Sequence, residues 1–418
     1  MNNNFFDISD EILELSEKAM EKARPHLDSI DRITEYQQLK MLKAFQNAKV
    51  SECCFTASTG YGYGDRGRDV LDSIYAEVLE TEDALVRHNF ASGTHTLTVA
   101  LFGVLRPGDT MVSVTGIPYD TLQGVIGIGG DSCGSLREFG INYEQVDLLP
   151  DGTVDYEGIK NNVHPDTKMV YIQRSRGYSL RPTLLNKDIK KIYELAKSIA
   201  PDCIVMLDNC YGEYVEMTAP GKFCDLMAGS LIKNPGGGIA PTGGYIAGRH
   251  DLVEACSYRL TTPGTGKEIG CTLGQNRELF MGTFNAPHVT GEALKTAVFA
   301  AALFELLGFK VTPSFDEERG DIIQAILLEN EKRLVSFCQG IQAASPIDSY
   351  VTPEPWDMPG YDSKVIMAAG AFTLGSSIEL SADAPLREPY AVWMQGSLNF
   401  HSGKTAIMLA AEKMKDQI

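Results

Sequence analysis

From Ser9 to about Ala48 apolar residues recur at helical spacing with charged residues between them: Ile12, Leu13, Leu15 and Met20, then Leu39, Met41, Leu42 and Phe45. One buried stripe on a helix accounts for that rhythm, so residues 1–54 are read as an N-terminal helical arm. The pattern breaks at "FTASTGYGYGDRGRD", a Gly- and Tyr-rich loop, and resumes as an amphipathic helix from about Val70 to Leu79. Onward to about residue 250, short β-branched runs alternate with helical segments. "DALVRHNF" precedes "SGTHTLTVALFGVL", "GDTMVSVT" precedes "DTLQGVIG", and "TKMVYIQRS" precedes "NKDIKKIYELAKSIA"; "CIVMLDN" and "GGYIAGR" follow. This predicts an α/β domain over 55–285, a mostly parallel sheet with helices on both faces. Its ligand belongs beyond the carboxyl ends of the strands. After the long Ala-rich helix of "APHVTGEALKTAVFAAALFELLGF", "DIIQAILLENEKRLVSFCQGIQ" reads as another helix and "SKVIMAAGAFTLGSSIEL" as short strands and a turn. A smaller α+β domain is expected over 286–418.

Three junctions in this pattern carry polar groups that chemistry can use. At "NFASGTHTLTV" a strand end opens onto an apolar helix through Ser92, Gly93 and Thr94. Free N–H groups and a positive helix end there suit a phosphate, and Ser92 suits a plain N-cap equally well. "CIVMLDNCYGEY" is an apolar strand ending in Asp208, a carboxylate that needs a partner if buried. In "AGSLIKNPGGG", Lys233 stands before Asn-Pro and three glycines. A Walker loop has its glycines before the lysine and Ser or Thr directly after it, so the order here counts against an NTPase. A lysine desolvated in a pocket loses proton affinity and becomes an amine able to form an imine with an aldehyde; a solvated loop lysine does neither.

One ligand asks for all three junctions together, because it carries a phosphate, an aldehyde and a ring nitrogen that wants a counter-charge: pyridoxal 5′-phosphate. In that reading Lys233 binds the aldehyde and later carries the proton at the substrate α-carbon, while Asp208 keeps the ring nitrogen protonated. Ser92, Gly93, Thr94 and Ser230 take the phosphate, and Cys210 joins the cofactor set. Tyr119 in "GIPYDTL" either stacks on the cofactor ring or is a turn residue after Pro118.

Composition narrows the alternatives. With 418 residues, 44% hydrophobic and 22% charged, the chain can bury a substantial core, and a net charge of −18 argues against a nucleic-acid backbone as partner. Nine cysteines without a CxxC pair suit a reducing compartment. No basic n-region with an apolar stretch opens the chain and no long uncharged apolar run occurs, so a cytoplasmic location away from membranes is expected. No His/Cys/Asp cluster has metal-ligand spacing, and His88, His95 and His288 are read as structural.

The segments "STGYGYGDRGRD", "ASGTH", "GIPYDTL", "QRSRGYSLRPTL", "LDNCYGEYVE", "SLIKNPGGGIAPTGGYIAGR" and "APHVTGEALKTAVFAAALFELLGF" occur in order through residues 55–310. As a set they resemble the bacterial aluminium resistance or methionine γ-lyase-like family, within the cystathionine β-/γ-lyase group of fold-type-I pyridoxal-phosphate enzymes. The resemblance implies a fold-type-I, PLP-dependent transferase-like fold, the lysine link at Lys233, the ring-nitrogen partner at Asp208 and the stacking ring at Tyr119. It also implies a homodimer or homotetramer in which the "YGYGDRGRD" loop reaches the neighbour's site. Better-studied lyases of the group bind the phosphate there with a Tyr-x-Arg pair. Tyr63 matches the tyrosine, but Asp65 stands at the arginine position, so Arg66 or Arg68 must substitute, Arg68 being preferred.

Two departures leave the substrate open. Ile232 replaces a hydroxyl residue before the lysine, and "QRSRGYS" replaces a Glu-(Ser/Thr)-Pro-x-Asn segment. Arg174, Arg176 or Arg181 is then expected to take over a substrate contact, with Arg387 in "PLREPY" as a further candidate for the carboxylate. The implied activity is β- or γ-elimination from a small sulfur amino acid such as cystathionine, cysteine or methionine, giving a thiol, a 2-oxo acid and ammonia. Its rivals are another activity of the same fold, aminotransferase or decarboxylase, and a cofactor-binding stress-response protein without turnover.

Overall fold

The computed structural model describes residues 5–130, 133–358 and 363–417. They form two compact units, Tyr36–Pro287 and a smaller one made of Met1–Glu35 with His288–Ile418. The helical arm is a single helix, α1 (Asp10–Asn47), whose first part belongs to the smaller unit. The sequence boundaries of 54 and 285 cut the chain differently at its N-terminal end, because one unbroken helix hides the point at which its contacts change.

In the larger unit the elements follow in order: α2 (Arg66–Leu79), β1 (Asp83–Arg87), α3 (Gly93–Val104), β2 (Thr110–Ser113), α4 (Asp120–Ile126) and β3 (Asn142–Gln145). Then come α5 (Tyr156–Asn162), β4 (Met169–Gln173), α6 (Asn186–Ile199), β5 (Ile204–Asp208), β6 (Leu226–Ser230), β7 (Gly244–Gly248) and α7 (His250–Leu260), and α8 (Asn276–Leu306) begins. The sheet runs β1-β7-β6-β5-β4-β2-β3. Every neighbouring pair from β3 to β6 is parallel, and β7 runs against both β6 and β1. All strands but β7 therefore end on one edge. Alternate side chains feed two cores: Val170, Ile172, Val205, Leu207 and Met227 enter one face, Tyr171, Ile204, Met206 and Ala228 the other. The period of two and the two-sided burial are what a covered parallel sheet requires.

The smaller unit holds the sheet β10-β11-β12-β9-β8, antiparallel throughout, from β8 (Lys310–Thr312), β9 (Gln324–Leu327), β10 (Val365–Ala368), β11 (Ser381–Pro385) and β12 (Ala391–Gln395). Helices α9 (Glu331–Ala343) and α10 (Phe400–Met414) pack together beside it. One expectation is corrected here. "DIIQAILLENEKRLVSFCQGIQ" is a strand followed by a helix, the break falling where the Asn330 side chain accepts the Arg333 N–H and caps α9. A short apolar run reads alike as buried strand or helix, and only the cap marks the division.

Candidate active site

The strands that end on the common edge deliver most of the sequence-selected residues of the larger unit to one place. Asp208 is the last residue of β5 and is buried. Its Oδ1 accepts the Cys210 N–H at 3.1 Å, and the buried Tyr171 hydroxyl stands 3.4 Å from Oδ2. Burial pushes the carboxyl up, opposed by the positive charge of Lys233 and the hydrogen bonds from Cys210 and Tyr171. Cys210 is buried beside it, its thiol pushed up by burial and by Asp208.

Lys233 follows β6 by three residues and enters a one-turn 3-10 helix, Asn234–Gly236. Two of the glycines behind it, Gly236 and Gly237, shape this turn. A Cβ on Gly236 would lie 1.7 Å from the Leu231 carbonyl oxygen. Gly237 has φ +55°, and a Cβ there would lie 2.5 Å from the Gly282 carbonyl oxygen on α8. The lysine Nζ lies 4.1 Å from the centre of the Tyr211 ring. Burial alone would lower the proton affinity of this amine, but Cys210, Tyr211, Asp208 and Glu213 outweigh it and hold the ammonium well above its ordinary value. The expected loss of proton affinity is thus reversed by acidic neighbours.

Across from Lys233 stands the start of α3. Ser92 is its N-cap, the side chain accepting the His95 N–H at 3.0 Å, so the capping role is real. It does not exhaust the helix end: no described residue accepts from the N–H groups of Gly93 and Thr94. A Cβ on Gly93 would stand 3.4 Å from Ser230 Cβ, 3.8 Å from Cys210 Sγ and 3.8 Å from Lys233 Nζ, so this glycine faces the other three. Ser230 is fully buried and its Oγ meets no hydrogen-bond partner among the described residues. A buried polar group left without a partner costs about 1–3 kcal/mol, which an anion accepting that hydroxyl's proton would offset. Thr94 turns its hydroxyl to Thr121 on α4 at 2.6 Å.

Tyr119 begins α4, its backbone N–H held at 2.7 Å by the side-chain oxygen of Gln173 at the end of β4. Its ring lies 5.8 Å from that of Tyr178. His95 accepts the Ala91 N–H on Nδ1, and His88 pairs with the Cys271 carbonyl at 2.7 Å.

The arginines divide. Arg174 is buried and its guanidinium is spent on Asn209 Oδ1 at 2.8 Å, the Gly212 carbonyl at 3.0 Å and Glu216 at 2.5 Å, which commits it to the scaffold. Arg181 is likewise buried, its Nη2 bonded to the carbonyls of Gln173 and Ser175. Arg176 is buried in the same segment. Arg387 lies in the smaller unit, exposed on the turn between β11 and β12. Arg68, preferred for the phosphate, is buried and donates to the carbonyls of Gly62 at 2.9 Å and Gly270 at 3.0 Å, tying its own loop to the segment before α8. Arg66 and Tyr63 are exposed, Tyr63 stacked on the equally exposed Tyr61 with ring centres 5.6 Å apart.

Sequence reasoning passed over Tyr211, Gln173, Glu213 and Tyr245. Tyr211, with φ +70°, stands two residues from Cys210's other neighbour Asn209 inside the quoted "LDNCYGEY". The sequence does carry a signal for it, an aromatic residue three positions after Asp208.

Comparison with known proteins follows the same lines. The family model of methionine gamma-lyase matches residues 12–415. The chain is 50% identical over 387 residues to YnbB of Bacillus subtilis (strain 168), covering 92% of each. It aligns at a TM-score of 0.94 and 52% identity with a carbon-sulfur lyase involved in aluminum resistance from Clostridium novyi NT, over 97% of this chain and 96% of that one. A Campylobacter jejuni lyase with N′-pyridoxyl-lysine-5′-monophosphate in its chain aligns at a TM-score of 0.56 and 16% identity, over 84% of this chain and 88% of that one. At that identity the likeness is one of fold.

Proposed function

From the premise that the chain belongs to the methionine γ-lyase family and has the fold of the fold-type-I pyridoxal-phosphate lyases, we propose that it is a carbon–sulfur lyase acting on a small sulfur amino acid. The observation that carries this reading is the convergence of the Lys233 amine and the partnerless Ser230 hydroxyl on Gly93 at the start of α3, with Asp208 and Tyr211 beside them. Those groups fit pyridoxal 5′-phosphate. The N–H groups of Gly93 and Thr94 and the Ser230 hydroxyl would hold the phosphate, the positive end of α3 adding to their attraction. Asp208 would hold a proton on the ring nitrogen, an ionic pairing that suits a buried carboxylate. When bound, the cofactor supplies an aldehyde for the amine and a ring that draws electrons from the substrate α-carbon.

Lys233, as the amine nearest the substrate α-carbon in such a site, would take the α-proton. Breaking the C–S bond then requires a proton on the departing sulfur, and Tyr119 is the group we assign to that transfer. Thiol, 2-oxo acid and ammonia are the products, one water being consumed to supply the keto oxygen as the ammonia leaves. The site is shared in a homodimer or homotetramer, in which exposed Tyr63 and Arg66, rather than the committed Arg68, reach the neighbour's phosphate. All nine cysteines are free thiols, which suits the cytoplasm; no described helix is long and apolar enough to cross a membrane.

The purified chain is tested with pyridoxal phosphate against cystathionine, cysteine, methionine and non-sulfur amino acids, reading thiol, ammonia and 2-oxo acid. Sulfur-dependent release of all three from a sedimenting dimer or tetramer is expected. Amino transfer to a 2-oxo acid, release of CO₂, or cofactor uptake with no turnover would each contradict it.

A further inference from the structure

Beneath the Lys233 turn lies a carboxyl that the proposed chemistry does not use. Glu213 is almost fully buried, in the segment that links β5 to β6. Gly229 of β6 makes the space for it, since a Cβ there would stand 2.5 Å from Glu213 Oε1. That oxygen accepts the Tyr245 hydroxyl at 2.7 Å. Tyr245 on β7 is approached in turn by Asn209 Nδ2 at 3.2 Å, and Asn209 by Arg174 at 2.8 Å. The second carboxyl oxygen, Oε2, meets no hydrogen-bond partner among the described residues. Through its main chain Glu213 also grips the lysine turn, its carbonyl accepting Asn234 Nδ2 at 3.1 Å while the same amide reaches the Tyr211 carbonyl at 3.0 Å.

A buried carboxyl with one oxygen unpartnered is costly unless a positive group offsets it. The charged and titratable groups that act on Glu213 are Tyr245 from β7, Lys233 from the turn after β6, Arg174 from the end of β4, Tyr75 from α2, and Tyr214 and Cys210 from its own segment. Of the cations, Arg174 is committed to Glu216 and Asn209. Lys233 is the one whose charge changes in the proposed reaction.

We propose that Glu213 is a positioning residue for Lys233, its carbonyl, through Asn234, the anchor of the turn that presents the amine, and its buried carboxyl one of the acids behind that turn, alongside Asp208. The inference rests on the reading of Lys233 as the cofactor lysine. It adds that the amine's charge is set from behind, by the Glu213–Tyr245–Asn209 chain, as well as by Asp208. Burial holds the Glu213 carboxyl up to about 7, so its charge switches on near neutrality.

The test reads the amine itself. The full chain, stripped of cofactor, is pulsed with an amine-acylating reagent at pH values from 6 to 10, and Lys233 is quantified by peptide mass spectrometry against other lysines as internal references. With Glu213→Gln the Lys233 profile should move down by about one pH unit, which is about tenfold faster acylation at a fixed pH below the midpoint. Tyr245→Phe, which keeps the carboxyl but removes its donor, should move the profile the same way by less, and it decides the matter if Glu213→Gln does not fold. Glu213→Asp should return the profile toward wild type. An unchanged Lys233 profile in both Glu213→Gln and Tyr245→Phe overturns the inference. Separately, a wild-type chain that takes up no pyridoxal phosphate overturns the functional reading while leaving the measured Lys233–Glu213 coupling to stand on its own.

Discussion

At the scale of single residues, the site is a cation among acids. Asp208 could be picked out of the sequence because it ends an apolar strand, Lys233 because it stands before Asn-Pro and three glycines, and Ser230 because it lies three residues before that lysine; a single ligand makes sense of all three. The proton affinity of Lys233 could not be read in the same way, because it depends on Glu213 and Tyr211, which only the fold brings near. Nor could the fate of the arginines: Arg68 and Arg174 look available as text, and only their carbonyl and carboxylate partners show them committed. Glu213 also makes a thermodynamic prediction. Its carboxyl titrates near 7 in the folded chain against an ordinary 4.5, so between those values the folded state holds the extra proton. Stability from this group is therefore full below about 4.5 and lost as pH rises through about 7, on the order of 3 kcal/mol in all. Urea unfolding of the cofactor-stripped chain between pH 5 and 8 should show that decline, and Glu213→Gln should flatten it. Equal slopes in the two chains would contradict the assignment.

Elements were legible where their period was strong. β4 and β5 are apolar runs whose alternate residues enter opposite cores, and α6 carries a clean helical stripe, so text and structure agree on them. β6 escaped notice because "LMAGS" contains an alanine and a glycine where strands favour branched or aromatic side chains. The reason is now visible: Gly229 is small because Glu213 and Tyr245 occupy the space beside it. The turn after β6 is equally constrained. Gly236→Ala would drive a methyl group into the Leu231 carbonyl and against Ala240, and backbone cannot yield as a flexible side chain can. A loss of about 3 kcal/mol or more is expected, with weaker cofactor retention because the Lys233 turn must shift. Thermal unfolding with and without pyridoxal phosphate measures both effects; a wild-type melting temperature in the variant would show that the turn is not fixed in this way.

For the whole molecule, the order of strands and helices made the fold class readable, since strands separated by helices leave few arrangements other than a covered parallel sheet. The reversal of β7 was not readable, because a strand's direction leaves no mark on its composition. The change of unit at residue 35 falls in the middle of α1, where the helical pattern runs on without a break. What the topology accomplishes is to gather the ends of β1, β4, β5 and β6 on one edge, where Gly93, Gln173, Asp208 and Lys233 follow. The central question is whether that edge holds pyridoxal phosphate through Lys233. The direct measurement is borohydride reduction of the purified chain loaded with pyridoxal phosphate, followed by peptide mass spectrometry. The visible band should be lost on reduction and the pyridoxyl phosphate mass found on the peptide containing Lys233, with neither seen in Lys233→Ala; a label spread over surface lysines, or retained in that variant, would contradict it.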